Sequence, residues 1–221
     1  MQLTDLLRAA PAGPLAEQAE LLLAQCHERR GADDEAARAY RAVLQREQGQ
    51  YVPDALLALA GIALRKGSPQ DAVPLLERLL KDAPDGSLRC AAVILRARAA
   101  LELEQPGDAL TVLKDAEARC AEAADQVAYW RAKAELRTGE TKAAAQRLAE
   151  AVEKHPRSSL SAEMRYDRAV ALAQLGDHAA AARAAEEFLA KHTPNELAPD
   201  ALYLFATLEH RQERYERSAA L

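Results

Sequence analysis

The chain has 221 residues, a net charge of −5 and a composition dominated by 52 alanines and 33 leucines. Two isoleucines, eight valines, six threonines and 4% aromatic residues leave too few side chains to cover sheet faces, which excludes barrels, sandwiches and doubly wound domains. Positive and negative residues are interspersed, so no basic field is broad enough to hold a nucleic-acid backbone, and no nucleic acid is expected as a partner.

Read along the chain, the pattern is helical throughout. A short helix is predicted over 3–10, ahead of the Pro11-Ala12-Gly13-Pro14 break. Helix pairs follow at 16–30/33–48, 53–66/69–82, 88–103/107–120, 122–137/141–154 and 160–174/178–191. A further first helix is predicted over 198–211, with its second helix only begun when the sequence stops. The boundaries rest on proline: Pro53 and Pro199 suit the first turn of a helix, while Pro84, Pro156 and Pro194 follow the second helices. Pro74 lies inside a predicted helix, and a start delayed to about residue 71 accommodates it.

These pairs are copies of one unit. Glycine-led turns followed by alanine recur at Gly31…Ala36, Gly67…Ala72, Gly139…Ala144 and Gly176…Ala181, with weaker copies at Glu104…Ala109 and Glu213…Ser218. Twelve residues before each second member stands an alanine: Ala24, Ala60, Ala97, Ala132, Ala169 and Ala206. Two helices approach closely only where one presents a small side chain, so this column and its counterpart (Ala36, Ala72, Ala109, Ala144, Ala181) mark where the helices of each pair touch. Bulkier residues at Tyr40, Leu76, Leu113 and Leu148, with Ala185 as the exception, continue the buried face one turn later.

The small residue in the first helix, the alanine in the second and the closing proline resemble the tetratricopeptide-repeat (TPR) family over about residues 15–221. The family's early aromatic is replaced by Glu20, Leu56, Val93, Ala128, Arg165 and Leu202, which fits a divergent branch. The segments around 161–192 and 196–219 are similar to repeats of bacterial cell-envelope proteins, the lipoprotein of the outer-membrane assembly machinery and the Tol-Pal coordinator among them. The resemblance implies an all-α, right-handed superhelical solenoid of antiparallel helix pairs. It further implies a single solenoid over 1–221, with five complete hairpins about 16–191 and an incomplete sixth unit at 198–221. The sequence therefore reads as a piece of a longer protein. On this reading the compartment is cytoplasmic if Met1 is the native start, and the cell envelope if an upstream signal was removed.

In such a solenoid the first helices line the inner surface. Three positions before the alanine column stand Leu21, Leu57, Ile94, Tyr129, Tyr166 and Tyr203; one position after it stand Gln25, Gly61, Arg98, Lys133, Val170 and Thr207. Tyrosine offers a rigid apolar surface with a polar tip and suits peptide recognition. Tyr129, Tyr166 and Tyr203, with Arg98 and Lys133 beside them and His210 and Arg211 in the last unit, are the candidate partner-binding residues. With those cations the surface would hold a peptide bearing one or two acidic groups. The alternative, tyrosines packed between hairpins with only their hydroxyls exposed, stays open. Trp130 reads as core. The lysine and asparagine clamp that some TPR proteins use for a C-terminal carboxylate is missing, since its asparagine sites read Gln25, Gly61 and Arg98.

No chemistry-bearing constellation accompanies this pattern. His27, His155, His178, His192 and His210 form no i,i+4 pair, and there is no phosphate loop or nucleophile elbow. His155 and His192 read as polar helix ends, where a partly protonated imidazole suits the dipole. Cys26, Cys90 and Cys120 form neither a metal pattern nor a disulfide framework, and read as small fillers. No enzyme activity, metal or cofactor is expected, nor direct membrane insertion. The function expected is a scaffold or adaptor that binds a protein or peptide segment. The alternative is a spacer, or a module that self-associates through its incomplete C-terminal unit.

Overall fold

The computed structural model describes residues 14–46, 49–82 and 86–211. The predicted helix 3–10, Pro84 and the residues of the sixth unit beyond 211 lie outside them. Among the described residues the regular structure is helical, and no helix is long and apolar enough to cross a membrane. The chain divides into two compact units, Met1–Gln105 and Pro106–Leu221.

In unit 1, α1 (Pro14–Arg29) packs on α2 (Asp33–Leu44), α3 (Val52–Arg65) on α2 and α4 (Pro69–Asp82), and α5 (Ser87–Glu102) on α4 and α3. The alanine columns sit where the sequence puts them: Ala24, Ala36, Ala60, Ala72 and Ala97 are fully buried. Around them Tyr40, Val43, Leu59 and Ile62 form one core, and Leu56, Leu64, Leu76 and Leu79 the next. Salt bridges sit at the rim. Arg46 donates two bonds of 2.9 Å to Glu20 across the first hairpin, and Arg65 joins Glu28 and Asp33. The delayed start expected around Pro74 does not occur. The helix begins at Pro69 and carries Pro74 inside it. Pro69 suits the first turn, and Gln70, whose carbonyl Pro74 leaves without an amide donor, is exposed to water.

In unit 2, α6 (Pro106–Leu113) and α7 (Ala116–Arg119) replace the single helix predicted over 107–120. The Thr111 hydroxyl donates to the Gly107 carbonyl at 3.0 Å, and the Lys114 amide closes a tight turn on Thr111. The helix ends at this tight turn, and the hydroxyl bond weakens the ladder just before it. A 3-10 turn at Ala121–Ala123 leads into α8 (Ala124–Thr138), which pairs with α9 (Thr141–Lys154). Then α10 (Ser161–Gln174) pairs with α11 (His178–His192), and α12 (Ala198–Arg211) packs on α11. Ala109, Ala132, Ala144, Ala169 and Ala181 are fully buried, whereas Ala206 is partly exposed. Trp130 is half-buried against the α8–α9 core, its ring edge-on to Tyr129.

The repeat turns share one backbone conformation. Gly31, Gly67, Gly139 and Gly176 have φ between 69° and 86°, and Glu104 at the same place in the third unit has φ 58°. A side chain there costs roughly 1–2 kcal/mol that glycine avoids. Glu104→Gly is therefore expected to stabilise the protein by about 1 kcal/mol, read as a higher urea midpoint.

The cysteines differ from the sequence expectation. Cys90 and Cys120 are disulfide-bonded and Cys26 is free. Neither residue belongs to a short cysteine motif, so the oxidised state of each is not legible in the sequence.

Candidate functional site

The residues three before and one after the alanine column share a face of each first helix, because those steps keep to one side of a 3.6-residue turn. In unit 1 this face holds a groove of about 360 Å³ between α1 and α3, lined by Leu21, Gln25, Arg29, Asp54, Leu57 and Ala58. Tyr40 and Glu28 close its floor, with the Tyr40 hydroxyl donating to Glu28 at 2.7 Å. Arg98, expected to offer free positive charge, donates instead to Glu102 on its own helix at 2.8 Å.

In unit 2 the same face carries the three tyrosines, and the structure treats each differently. Tyr129 is 8% exposed, its hydroxyl against the Asp167 carboxylate. Tyr166 is half-buried beside Phe188, with ring centroids 6.1 Å apart. Tyr203 is 76% exposed. Lys133, the other expected cation, reaches Asp167 of α10 at 3.1 Å, with its nitrogen 5.8 Å from the centre of the Tyr129 ring. The two cations expected to meet a partner's acidic groups are thus already answered by carboxylates of the chain. His210 and Arg211 are exposed at the end of α12.

Burial sets the proton affinities here. Asp167 is held above the usual carboxylate range by desolvation, which outweighs the attraction of Lys133. Desolvation, then the charges of Asp167 and Glu163, raises the Tyr129 hydroxyl. Tyr40 is raised by burial and by Glu28, and Tyr166 by burial, then by Asp200 and Asp167. His192 is lowered by burial and by Arg165, and it stacks on Phe188, so it is no freely protonated helix end. For a tyrosine with a raised folded pKa, the folded state holds more protons than the unfolded chain above the ordinary value of 10.0. Stability therefore falls as pH rises through 10 toward the folded value. Tyr129→Phe should shrink the drop in urea midpoint between neutral and strongly alkaline pH, measured beside the unmodified protein.

The family profile described as "Tetratricopeptide repeat" matches residues 2–51 and 34–87, and the one described as "Outer membrane lipoprotein" matches residues 121–218. Residues 2–87 match the tetratricopeptide-repeat (TPR) family, and the fold is that of TPR proteins. A TPR protein from Parabacteroides merdae superposes with a TM-score of 0.74 at 19% identity, covering 99% of this chain and 80% of that one. MamA from Desulfovibrio magneticus gives 0.70 at 20% identity over 81% and 97% of the two chains. YrrB, described as a TPR protein with an unusual peptide-binding site, gives 0.67 at 16% identity over 92% and 97%. No curated protein matches the sequence.

The TPR register also brings in residues that sequence reasoning passed over. Asp167 and Glu163 lie on the tyrosine face of α10, with an oxygen of Glu163 buried and without a hydrogen bond. A signal existed: Glu163 and Asp167 are four apart and flank Tyr166 in sequence.

Proposed function

We propose that this TPR-fold protein is a non-catalytic scaffold that binds a protein partner through the first-helix face of its repeats. The observation that carries the reading is Tyr203, a large aromatic ring left 76% exposed in register with Tyr129 and Tyr166. An exposed tyrosine on a rigid helix loses little entropy on binding and contributes more contact area than most residues. The groove over Leu21 and Leu57 supports the same use of the face in unit 1. YrrB, described as having a peptide-binding site on a similar fold, agrees with it.

A photo-crosslinking residue at Tyr203 should trap a specific partner in cells of the source organism. The same residue at Glu153, exposed on second helix α9, should not. Equal trapping at both positions, or trapping only at Glu153, would remove the first-helix face from the function.

A further inference from the structure

We propose that the Tyr166–Asp200–Tyr203 surface of unit 2 receives a lysine or arginine side chain from an extended segment of the partner. This rests on the reading of the first-helix face as the binding surface, and it names the chemistry recognised there.

The protein already shows how such a site is filled one repeat earlier. There the Tyr129 ring and Asp167 from the next first helix hold an ammonium group, with the Glu163 charge acting on the Tyr129 hydroxyl, and the chain supplies that group itself as Lys133. A cation between an aromatic face and a carboxylate is favoured by both, the more so where burial weakens screening. The following repeat step repeats part of the arrangement. Tyr166 stands at the place of Tyr129, and Asp200 at the place of Glu163. The charges of Asp200 and Asp167 both act on the Tyr166 hydroxyl. Tyr203 follows Asp200 by three residues on the same side of α12 and leaves its ring open to solvent.

What differs is the cation, and Leu204 stands at the place of Asp167, so Asp200 is the carboxylate that α12 itself brings. The position of Lys133 is occupied by Val170, and that of the next repeat by Thr207, whose hydroxyl turns back to the Tyr203 carbonyl at 2.8 Å. Asp200 forms no ion pair among the described residues. The basic residues on α12, His210 and Arg211, lie ten or more residues along the helix from Asp200, about 15 Å at the rise of an α-helix. Lys133 is committed to Asp167. Among the described residues, two aromatic rings and a carboxylate thus share one surface without the positive group that the preceding repeat provides. An acidic segment would meet Asp200 and the excess of carboxylates over Lys133, so the structure favours a basic one.

The test uses the full chain and short fluorescein-labelled Gly/Ser peptides carrying paired arginines, paired lysines, glutamines or glutamates, followed by anisotropy. The arginine and lysine peptides should bind at least about tenfold more tightly than the glutamine peptide, and progressively less as salt is raised. Asp200→Asn should remove most of that preference. Val170→Lys should do the same by filling the surface from within, as Lys133 does next door. Glu153→Gln on α9, which lowers the net negative charge by the same amount as Asp200→Asn, should leave it intact. Binding without preference for the basic peptides, or a preference untouched by both Asp200→Asn and Val170→Lys, would overturn the proposal. If acidic or neutral peptides bind and Tyr203→Ala abolishes it, the face is the binding surface but its chemistry is not cationic recognition. If no peptide responds to Tyr203→Ala, both readings fall.

Discussion

Ala132→Leu is expected to lower the stability of unit 2 by roughly 2–3 kcal/mol, although it exchanges one good helix former for another. Ala132 is fully buried in the α8–α9 core with Ala144, Leu148 and Val152. A leucine would add three carbons where two helices meet, and the helices must separate or the side chain must leave its rotamer. The control is Ala206→Leu at the same place in the sixth unit. Ala206 is partly exposed, so the same added volume should cost well under 1 kcal/mol there. Trp130, the sole tryptophan, lies against the α8–α9 core and reports its unfolding in urea by fluorescence. Equal midpoints for the two variants would mean that the alanine column reflects helix propensity rather than close approach.

That column is also why so much of the fold could be read from the sequence. A small-residue requirement at a helix crossing acts on one position per unit, and six copies repeat it until it stands out from a chain already rich in alanine. Helix starts were equally legible where proline marked them, as at Pro53 and Pro199. The break between α6 and α7 was not, because the turn that the Lys114 amide closes on Thr111 leaves no trace in periodicity. Pro74 misled for a related reason: its cost depends on whether Gln70 is wet, which only the fold decides.

The candidate site was legible in position but not in charge. Repeat register placed Tyr129, Tyr166 and Tyr203 on one face, since register is a property of the helix alone. It could not tell that Lys133 is held by Asp167, thirty-four residues later, because that pair depends on how neighbouring first helices lie together. Seen by itself, Lys133 suggests an acidic partner. Paired with Asp167 it becomes an internal counter-ion, and the carboxylates left over point to a basic one.

The second large effect concerns a buried carboxylate whose role is structural. Glu135→Ala is expected to cost roughly 3–5 kcal/mol, the range for leaving buried or half-buried charges without their partner. Glu135 is 3% exposed and accepts bonds from Arg147 at 2.8, 3.0 and 3.1 Å, with Arg131 at 3.3 Å. Glu117 of α7 completes the group, contacting Arg131 at 3.2 Å and also Arg147. Two cations and two carboxylates thus tie the short α7 to α8 and α9, at the point where the third repeat loses the continuous helix the others have. Removing Glu135 leaves Arg131 and Arg147 facing each other with only the more exposed Glu117 between them. Glu135→Leu combined with Arg147→Leu removes one charge of each sign and should recover much of the loss, because well-packed apolar side chains often replace a buried ion pair at little cost. If the single substitution is as mild as the double one, the network adds nothing, and α7 is held by the packing of Ala116 and by the buried Cys120 at its end. If the single is severe and the double mild, the network's need is for charge balance. Tyr129 lies on α8 with Glu135, so the same experiment tests whether the binding face depends on that balance: ligand binding should be lost in step with the single variant's stability and return in the double.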